Sequence, residues 1–562
     1  MSTTQKKALP IGVEFFDKMI ENDYYYVDKT LLIKDILDKK GEVNLFTRPR
    51  RFGKSLNISM LQCFFDNLMA DKASIFDGLN IAHSGEAYLK HQNQYPVIKL
   101  GLKDVEASDF EGAMEMFAFE LSSEFDRHRY LLNSDELEDE EKTLYRSILA
   151  RKVDFSEYRN SLKFLSDCLK KHYAQKVIIL VDEYDVPLEK AHFAGYYDEM
   201  VKFIRSFFSA ALKTNKNLHF AVLTGCLRVS RESIFTGLNN LNIVSILNDG
   251  FGEYYGFTEW EVEEMLNYYG MESKAEEMRD WYNGYLFGET TVYNPWSGIK
   301  YLYDIIHNKM QFPSPHWSNT SSNAIIRDLI SISDNKAREE IELIIAGGTI
   351  TKPIIEDIVY ADIKKNMENL WSFLFFTGYL KKISKMQIGV ENHLELGIPN
   401  KEILYIYNRH IREWFDERVK ATDLTPMYTA ILNGDTKTFQ YELTEMLQNT
   451  ISYFDSKEEF YHGFLAAVTS TMDGYATKSN RESGNGRGDI FIRSFSIRKP
   501  AVIIEVKVAE SAKDLTKKCD EALAQIEEKN YDEELLREGY TDVIKYAVAF
   551  YRKDCEIKVH EQ

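Results

Sequence analysis

The chain has 562 residues, a formal net charge of −19, 44% hydrophobic residues and 28% charged residues. That length calls for more than one core, and 34 Tyr with 34 Phe exclude a largely disordered polypeptide. The acidity excludes a protein coated in phosphate-binding surface, so any contact with nucleic acid has to be a local basic patch. The five cysteines form no CxxC pair, which signals neither a zinc knuckle nor a disulfide framework, and free thiols suit a reducing compartment. The opening MSTTQKKALP lacks the apolar core of a secretion signal, and no apolar run approaches the ~20 residues of a membrane span. The expected location is therefore cytoplasmic, away from membranes.

Residues 43–47 (VNLFT) read as a short buried strand, and 54–68 then carry apolar residues at helical spacing. Between them, 47–55 read TRPRRFGKS. A Gly-Lys-Ser ending between strand and helix is the layout of a phosphate-binding loop, with Gly53 and the first helical amides around the anion. Lys54 is expected to reach the β and γ phosphates, Ser55 to hold Mg²⁺, and Arg50 and Arg51 to add positive charge. The departure is Arg48, where the pattern's first glycine belongs. Gly-Lys-Ser alone also fits a basic turn capping a helix.

Residues 96–100, 176–181 and 218–224 read as further strands, the second a continuous apolar run of the kind found in a central parallel strand. Asp182 and Glu183 follow that run directly. There an Asp can hold the Mg²⁺ shell and a Glu can orient the attacking water, or both can simply mark a strand end reaching solvent. Thr224 stands at the next strand end as a γ-phosphate sensor would. Arg228 and Arg231 are candidate arginine fingers, or surface arginines. Strands separated by helices give an α/β sheet covered on both faces. From about 290 to 450 the pattern is mainly helical.

The last hundred residues change character. A helix at about 457–471 leads into a polar, Gly-rich loop (478–488), a strand (489–494), a strand (501–508), a helix at about 512–529 with Ser511 and Asp514 as a capping box, and strands at 543–550 and 555–559. Asp489 opens the first of these strands. Glu505 and Lys507, two apart on the next, share a face. A hairpin centred near 497–498 sets Asp489 opposite about Val506, beside Glu505. Two carboxylates that close repel by ~4 kcal/mol at an effective dielectric of 20 unless a cation lies between them, and oxygen ligands suit Mg²⁺ or Mn²⁺. Lys478, Arg481, Arg487, Arg493, Arg498 and Lys499 are expected around this site as a basic patch. The pattern Glu-x-Lys is by itself also common on exposed sheet faces.

The chain resembles the AAA-ATPase-like proteins of bacteria and archaea that carry a C-terminal PD-(D/E)XK nuclease domain. The resemblance rests on YYVDKT (25–30), RPRRFGKS (48–55), VDEYD (181–185), LTGCLRVSRESIFTGLNNL (223–241), YGFTEWEV (255–262), WYNGYLFG (281–288), YNPWS (293–297), LWSFLFFTGYL (370–380), IPNKEI (398–403) and the later D…ExK layout. It implies that Arg48 is how this family writes its loop. It also implies that Gln525 is the glutamine near the nuclease site and that Glu459, beside His462, supplies a further metal-shell carboxylate. Glu459 also fits a capping box with Ser456, and His462 a core histidine.

The expected architecture is α/β: an AAA-type parallel-sheet P-loop domain (1–289), a helical middle region (290–450) and a mixed α/β restriction-endonuclease-like domain (451–562). The expected function is a nucleotide-regulated, divalent-metal-dependent nuclease, with ATP and Mg²⁺ or Mn²⁺ as cofactors and DNA or RNA as substrate. Asp489, Glu505, Lys507, Glu459 and Gln525 form its catalytic set. Asp489, Glu505, Glu459, Ser55 and Asp182 are its metal ligands. The alternative is a nucleotide-dependent switch whose C-terminal domain binds nucleic acid or a partner without cutting. Homo-oligomerisation stays open.

Overall fold

The computed structural model describes residues 6–213, 215–228, 235, 239–308, 310–317, 335–356, 367–388, 391–409, 423–450, 458–483 and 486–560. The chain forms two compact units, one of residues 1–324 and 349–406, the other of residues 325–348 and 407–562.

The first unit is built on five parallel strands: β1 (Val43–Thr47), β2 (Val97–Gly101), β3 (Val177–Asp182), β4 (Leu218–Gly225) and β5 (Leu241–Val244). Their order is β2-β3-β4-β1-β5. Parallel strands need crossover helices, which cover both faces, so the central strands are mainly apolar and β3 runs VIILV without interruption. Val177 to Val181 are each fully buried. The helix Lys54–Phe65 packs on this sheet, with Phe65 edge-on to Phe220 of β4 at 5.3 Å between ring centroids. β4 lies between β1 and β3, so the phosphate-loop strand and the Asp182 strand share one neighbour, whose last two residues are Thr224 and Gly225.

Strand β5 was not expected. It is a short edge strand of partly exposed residues, without the continuous apolar run that marks a covered strand. A small hairpin follows, β6 (Tyr285–Phe287) and β7 (Thr290–Val292). Among the helices of the middle region lies a three-stranded antiparallel sheet, β8 (Ile350–Pro353), β9 (Lys381–Ile388) and β10 (Glu391–Gly397), in the order β8-β10-β9.

The second unit holds a mixed sheet of β11 (Tyr475–Ser483), β12 (Gly486–Ser494), β13 (Ala501–Val508), β14 (Val543–Tyr551) and β15 (Asp554–Val559), paired in that order. Only β13 and β14 run parallel. The helix Leu515–Lys529 joins them, as a parallel pair requires. The two faces of β13 divide cleanly. Val502, Ile504 and Val506 enter a core with the helices 425–433, 436–450 and 458–469, while Ala501 and Ile503 pack with Ile526, Tyr531 and Leu535 on the other side.

Three expectations for this unit change. The stretch read as a polar loop is largely the β11–β12 hairpin, an edge element whose polar sequence hides its extended backbone. The capping box does not form: Ser511 donates to the Asp514 carboxylate at 2.6 Å, and a single 3-10 turn precedes the α-helix. The β12–β13 ladder pairs Ile490 with Ile504 and Ile492 with Val502. Extending it by one residue leads to Asp489 and Glu505, one residue short of the expected Val506.

Candidate nucleotide cleft and carboxylate site

The loop after β1 folds as the sequence requires. Gly53 caps the helix Lys54–Phe65 at φ 76°, a left-handed conformation that glycine adopts at little cost. Arg51 (φ 67°) and Glu183 (φ 53°) are left-handed without being glycine. Such residues cost about 1–3 kcal/mol each and gather at functional sites. Both border a cleft of about 640 Å³, also lined by Arg50, Gly53, Lys54 and Ser55.

Lys54 is 5% exposed and folds back on its own loop, donating to the carbonyls of Pro49 (2.9 Å) and Arg48 (3.1 Å). Arg50 pairs with Glu189 at 2.6 Å, and Arg51 lies over the Trp296 ring at 4.3 Å. Burial raises the carboxyls of Glu183, Asp185 and Glu189 above the ordinary carboxylate range. Asp182 and Thr224 are not among the residues lining the cleft. They meet beside it, at the ends of β3 and β4, where the threonine hydroxyl donates to the Asp182 carboxylate at 2.5 Å. Arg228 faces Glu356 at 3.9 Å, and Arg231 lies outside the described residues.

Sequence reading missed Arg48 as a structural residue. It is fully buried, donates to the carbonyls of Thr47 (2.9 Å) and Val244 (2.8 Å), and lies 5.1 Å from the rings of Tyr255 and Phe287. Asp185 was quoted only as part of a motif. It accepts from the amides of Cys226 (2.8 Å) and Leu227 (3.0 Å), tying the end of β3 to the exit of β4.

In the second unit, Glu505 and Lys507 share the β13 face turned to the helix Leu515–Lys529. Glu505 is 1% exposed. Its Oε1 accepts from the Lys507 ammonium at 3.2 Å and from the Gln525 side-chain amide. Gln525 also donates to the hydroxyl of Tyr531, at 3.0 Å. Tyr531 is the group sequence reading missed: Asn530 ends the helix left-handed (φ 50°), and the chain turns there.

Glu459 and Asp489 have backbones in the helix Glu458–Thr469 and in β12, and their side chains lie outside the described part. That helix packs on the opposite face of the sheet. Its Tyr461 stacks on Phe550 at 4.4 Å, and Phe550 is paired with Val508, so the helix begins at the end of the sheet where Lys507 lies. The basic patch is only partly there. Arg493 is engaged by Glu534 (3.1 Å) and Glu538 (2.9 Å), while Arg498 and Lys499 precede β13 at its far end from Lys507. Lys478 is exposed, and the side chains of Arg481 and Arg487 lie outside the described part. The Glu505 carboxylate is a hard oxygen donor, the type that Mg²⁺ or Mn²⁺ takes rather than a thiol- or imidazole-seeking metal, and among the described residues no group of three or more His, Cys, Asp or Glu gathers to hold an ion.

Comparison with known proteins agrees with this division. A family described as "Predicted AAA-ATPase" matches residues 10–235, and the PD-(D/E)XK nuclease superfamily matches residues 456–560. The chain is similar to the "Uncharacterized protein in vnfD 5'region" of Azotobacter chroococcum mcd 1, with 27% identity over 403 residues that cover 71% of this chain and 68% of that protein. The polypeptide thus joins an AAA-ATPase-like segment to a PD-(D/E)XK nuclease-superfamily segment.

Proposed function

We propose that this protein is a nucleotide-regulated, divalent-metal-dependent nuclease acting on DNA or RNA. The observation that carries the reading is the convergence of Lys507 and Gln525 on one buried carboxylate oxygen of Glu505. A lysine two residues from the carboxylate can stabilise the charge that builds on a phosphodiester oxygen. Gln525, held by Tyr531, fixes the Glu505 rotamer and so the direction of its carboxylate. Asp489, two residues before Phe491 in β12, supplies the second carboxylate, and Glu459 a third. Mg²⁺ or Mn²⁺ held there polarises the phosphate and lowers the pKa of a bound water.

In the first unit, Lys54 leaves its loop carbonyls for the β and γ phosphates of a nucleotide, the charge-assisted pairing being stronger. Ser55 and Asp182 hold Mg²⁺, Glu183 orients a water, and Thr224 senses the γ-phosphate through its bond to Asp182. Arg50 stabilises phosphate charge, with Arg228 or Arg231 as the finger. ATP is the nucleotide of this reading, and the site of action is the cytoplasm. Residues 1–289, 290–450 and 451–562 are its working parts.

The test is a panel of labelled DNA and RNA with Mg²⁺ or Mn²⁺, with and without ATP. Wild type is expected to cut, and Lys507→Ala and Glu505→Gln to lose about 10²-fold or more while keeping the wild-type circular dichroism spectrum. Cleavage that persists unchanged in both variants overturns the site. A wild type inert on every substrate leaves the reading of a switch that binds without cutting.

A further inference from the structure

Two motifs, YYVDKT (25–30) and YGFTEWEV (255–262), meet in a second concavity of the first unit. Its volume is about 690 Å³, within the ~300–1,000 Å³ typical of small-molecule sites. One wall is aromatic. Trp260 is 68% exposed and Tyr268, on the same helix Glu259–Tyr269, is 38% exposed. The ring of Tyr25 lies 5.0 Å from that of Tyr268.

The charge of the pocket is one-sided. Its two ammonium groups are already engaged, Lys7 with Asp23 at 2.7 Å and Lys29 with Glu261 at 2.5 Å. Four further carboxylates line it: Asp28 accepts from the Thr30 amide and hydroxyl and the Asn80 amide, Asp28 and Glu253 lie in the field of the Lys29 ammonium, and no cation among the lining residues pairs with Asp77 or Glu264. Exposed ring faces beside uncompensated carboxylates select for organic cations, because a ring's negative face attracts an ammonium while alkyl carbons bury against it. A hard metal ion gains nothing from the rings. A single small ammonium answers only one of Asp77 and Glu264.

We propose that this pocket binds a linear polyamine, an alkyl chain carrying several ammonium groups. Trp260 and Tyr268 pack against the chain and its ammonium groups, and Asp77 and Glu264 offset their charge. The wall of Tyr25, Tyr26, Val27 and Tyr254 also lines the nucleotide cleft, so the occupant sits directly behind it.

Spermine titrated calorimetrically into the full chain at about 0.15 M salt tests this, since such salt screens diffuse attraction beyond ~8 Å. The expected result is one saturable site, weakened about ten-fold by Trp260→Ala, restored by Trp260→Phe, several-fold weaker in Glu264→Gln, and not displaced by Mg²⁺. Trp260 is largely exposed, so these variants are expected to fold, which circular dichroism checks. Binding of many spermines with an affinity unchanged in Trp260→Ala and Glu264→Gln overturns the proposal and leaves only attraction to an acidic chain. So does the absence of saturable binding.

Discussion

Arg48 puts a guanidinium where a phosphate loop ordinarily has no side chain, and the surroundings show what it does there. It spans the loop, β5 and two aromatic rings, and burial lowers its pKa to about 10, so it stays charged at neutral pH. Truncation removes two donors from buried carbonyls and opens a cavity, each costing about 1–3 kcal/mol. Arg48→Gly, which restores the ordinary pattern, is therefore expected to lower the melting temperature by several degrees and to leave nucleotide affinity no better. A variant that melts like wild type and binds nucleotide more tightly assigns Arg48 to the phosphates instead. Glu402 carries a second residue-scale prediction. It is fully buried, accepting from the Trp317 amide (2.9 Å) and the Ser297 hydroxyl (3.0 Å), and burial raises its pKa to about 7. A carboxyl raised in the folded state holds its proton after the unfolded chain has lost it. Stability from this group is thus complete below the unfolded value of 4.5 and declines as pH rises to about 7, by about 3 kcal/mol. Urea midpoints of the first unit at pH 5 and pH 8 should differ in that direction for wild type. In Glu402→Gln this contribution should be absent, and an unchanged pH dependence excludes it as the source.

At the scale of elements, what the sequence reveals follows burial. Strands β1, β3 and β4 are covered on both faces and are mostly apolar, β3 without interruption, so they were legible with their bounds nearly right. Edge strands carry no such signal: β5 is four residues of mixed polarity, and β11 is YATKSNRES. Local placement was equally legible: Gly53 caps the helix that Lys54 and Ser55 open, and Glu505 and Lys507 share a face of β13 through strand geometry alone. Contacts that depend on distant elements were not. Gln525 meets Tyr531 only because the helix stops at Asn530, and Arg493 is withdrawn from any phosphate by Glu534 and Glu538. Asp185 belongs to this hidden class too, since nothing in its local sequence announces its two amide donors. Truncating it leaves the Cys226 and Leu227 amides without their acceptor near the cleft, at a cost of about 1–3 kcal/mol for each buried donor. Asp185→Ala should therefore lower the urea midpoint and nucleotide affinity together. Asp182→Ala removes a partly exposed carboxylate, and is expected to reduce Mg²⁺-dependent nucleotide binding with little loss of stability. The opposite assignment of the two effects exchanges their roles.

For the whole molecule, regulation is a statement about two sites in different compact units, Lys54 in one and Lys507 in the other. Coupling between binding sites is reciprocal: if a nucleotide changes nucleic-acid affinity by some factor, nucleic acid changes nucleotide affinity by the same factor, commonly ~5–150-fold. With Ca²⁺ in place of Mg²⁺ to suppress cutting, both affinities can be measured on one preparation. The two factors are expected to agree and to exceed about five. Lys54→Ala should abolish the effect of nucleotide while leaving metal-dependent basal cleavage intact, because Lys54 belongs to the loop of the first unit and not to the carboxylate site of the second. Lys507→Ala should abolish cleavage while leaving nucleotide affinity unchanged. The protein's net charge of −19 adds a condition, for bulk repulsion opposes nucleic acid and only the local site attracts it. Nucleic-acid affinity should therefore fall with added salt by a shallow slope, that of a few phosphate contacts. Equal affinities with and without the other ligand, in both directions, mean that the two segments share a chain without sharing a switch.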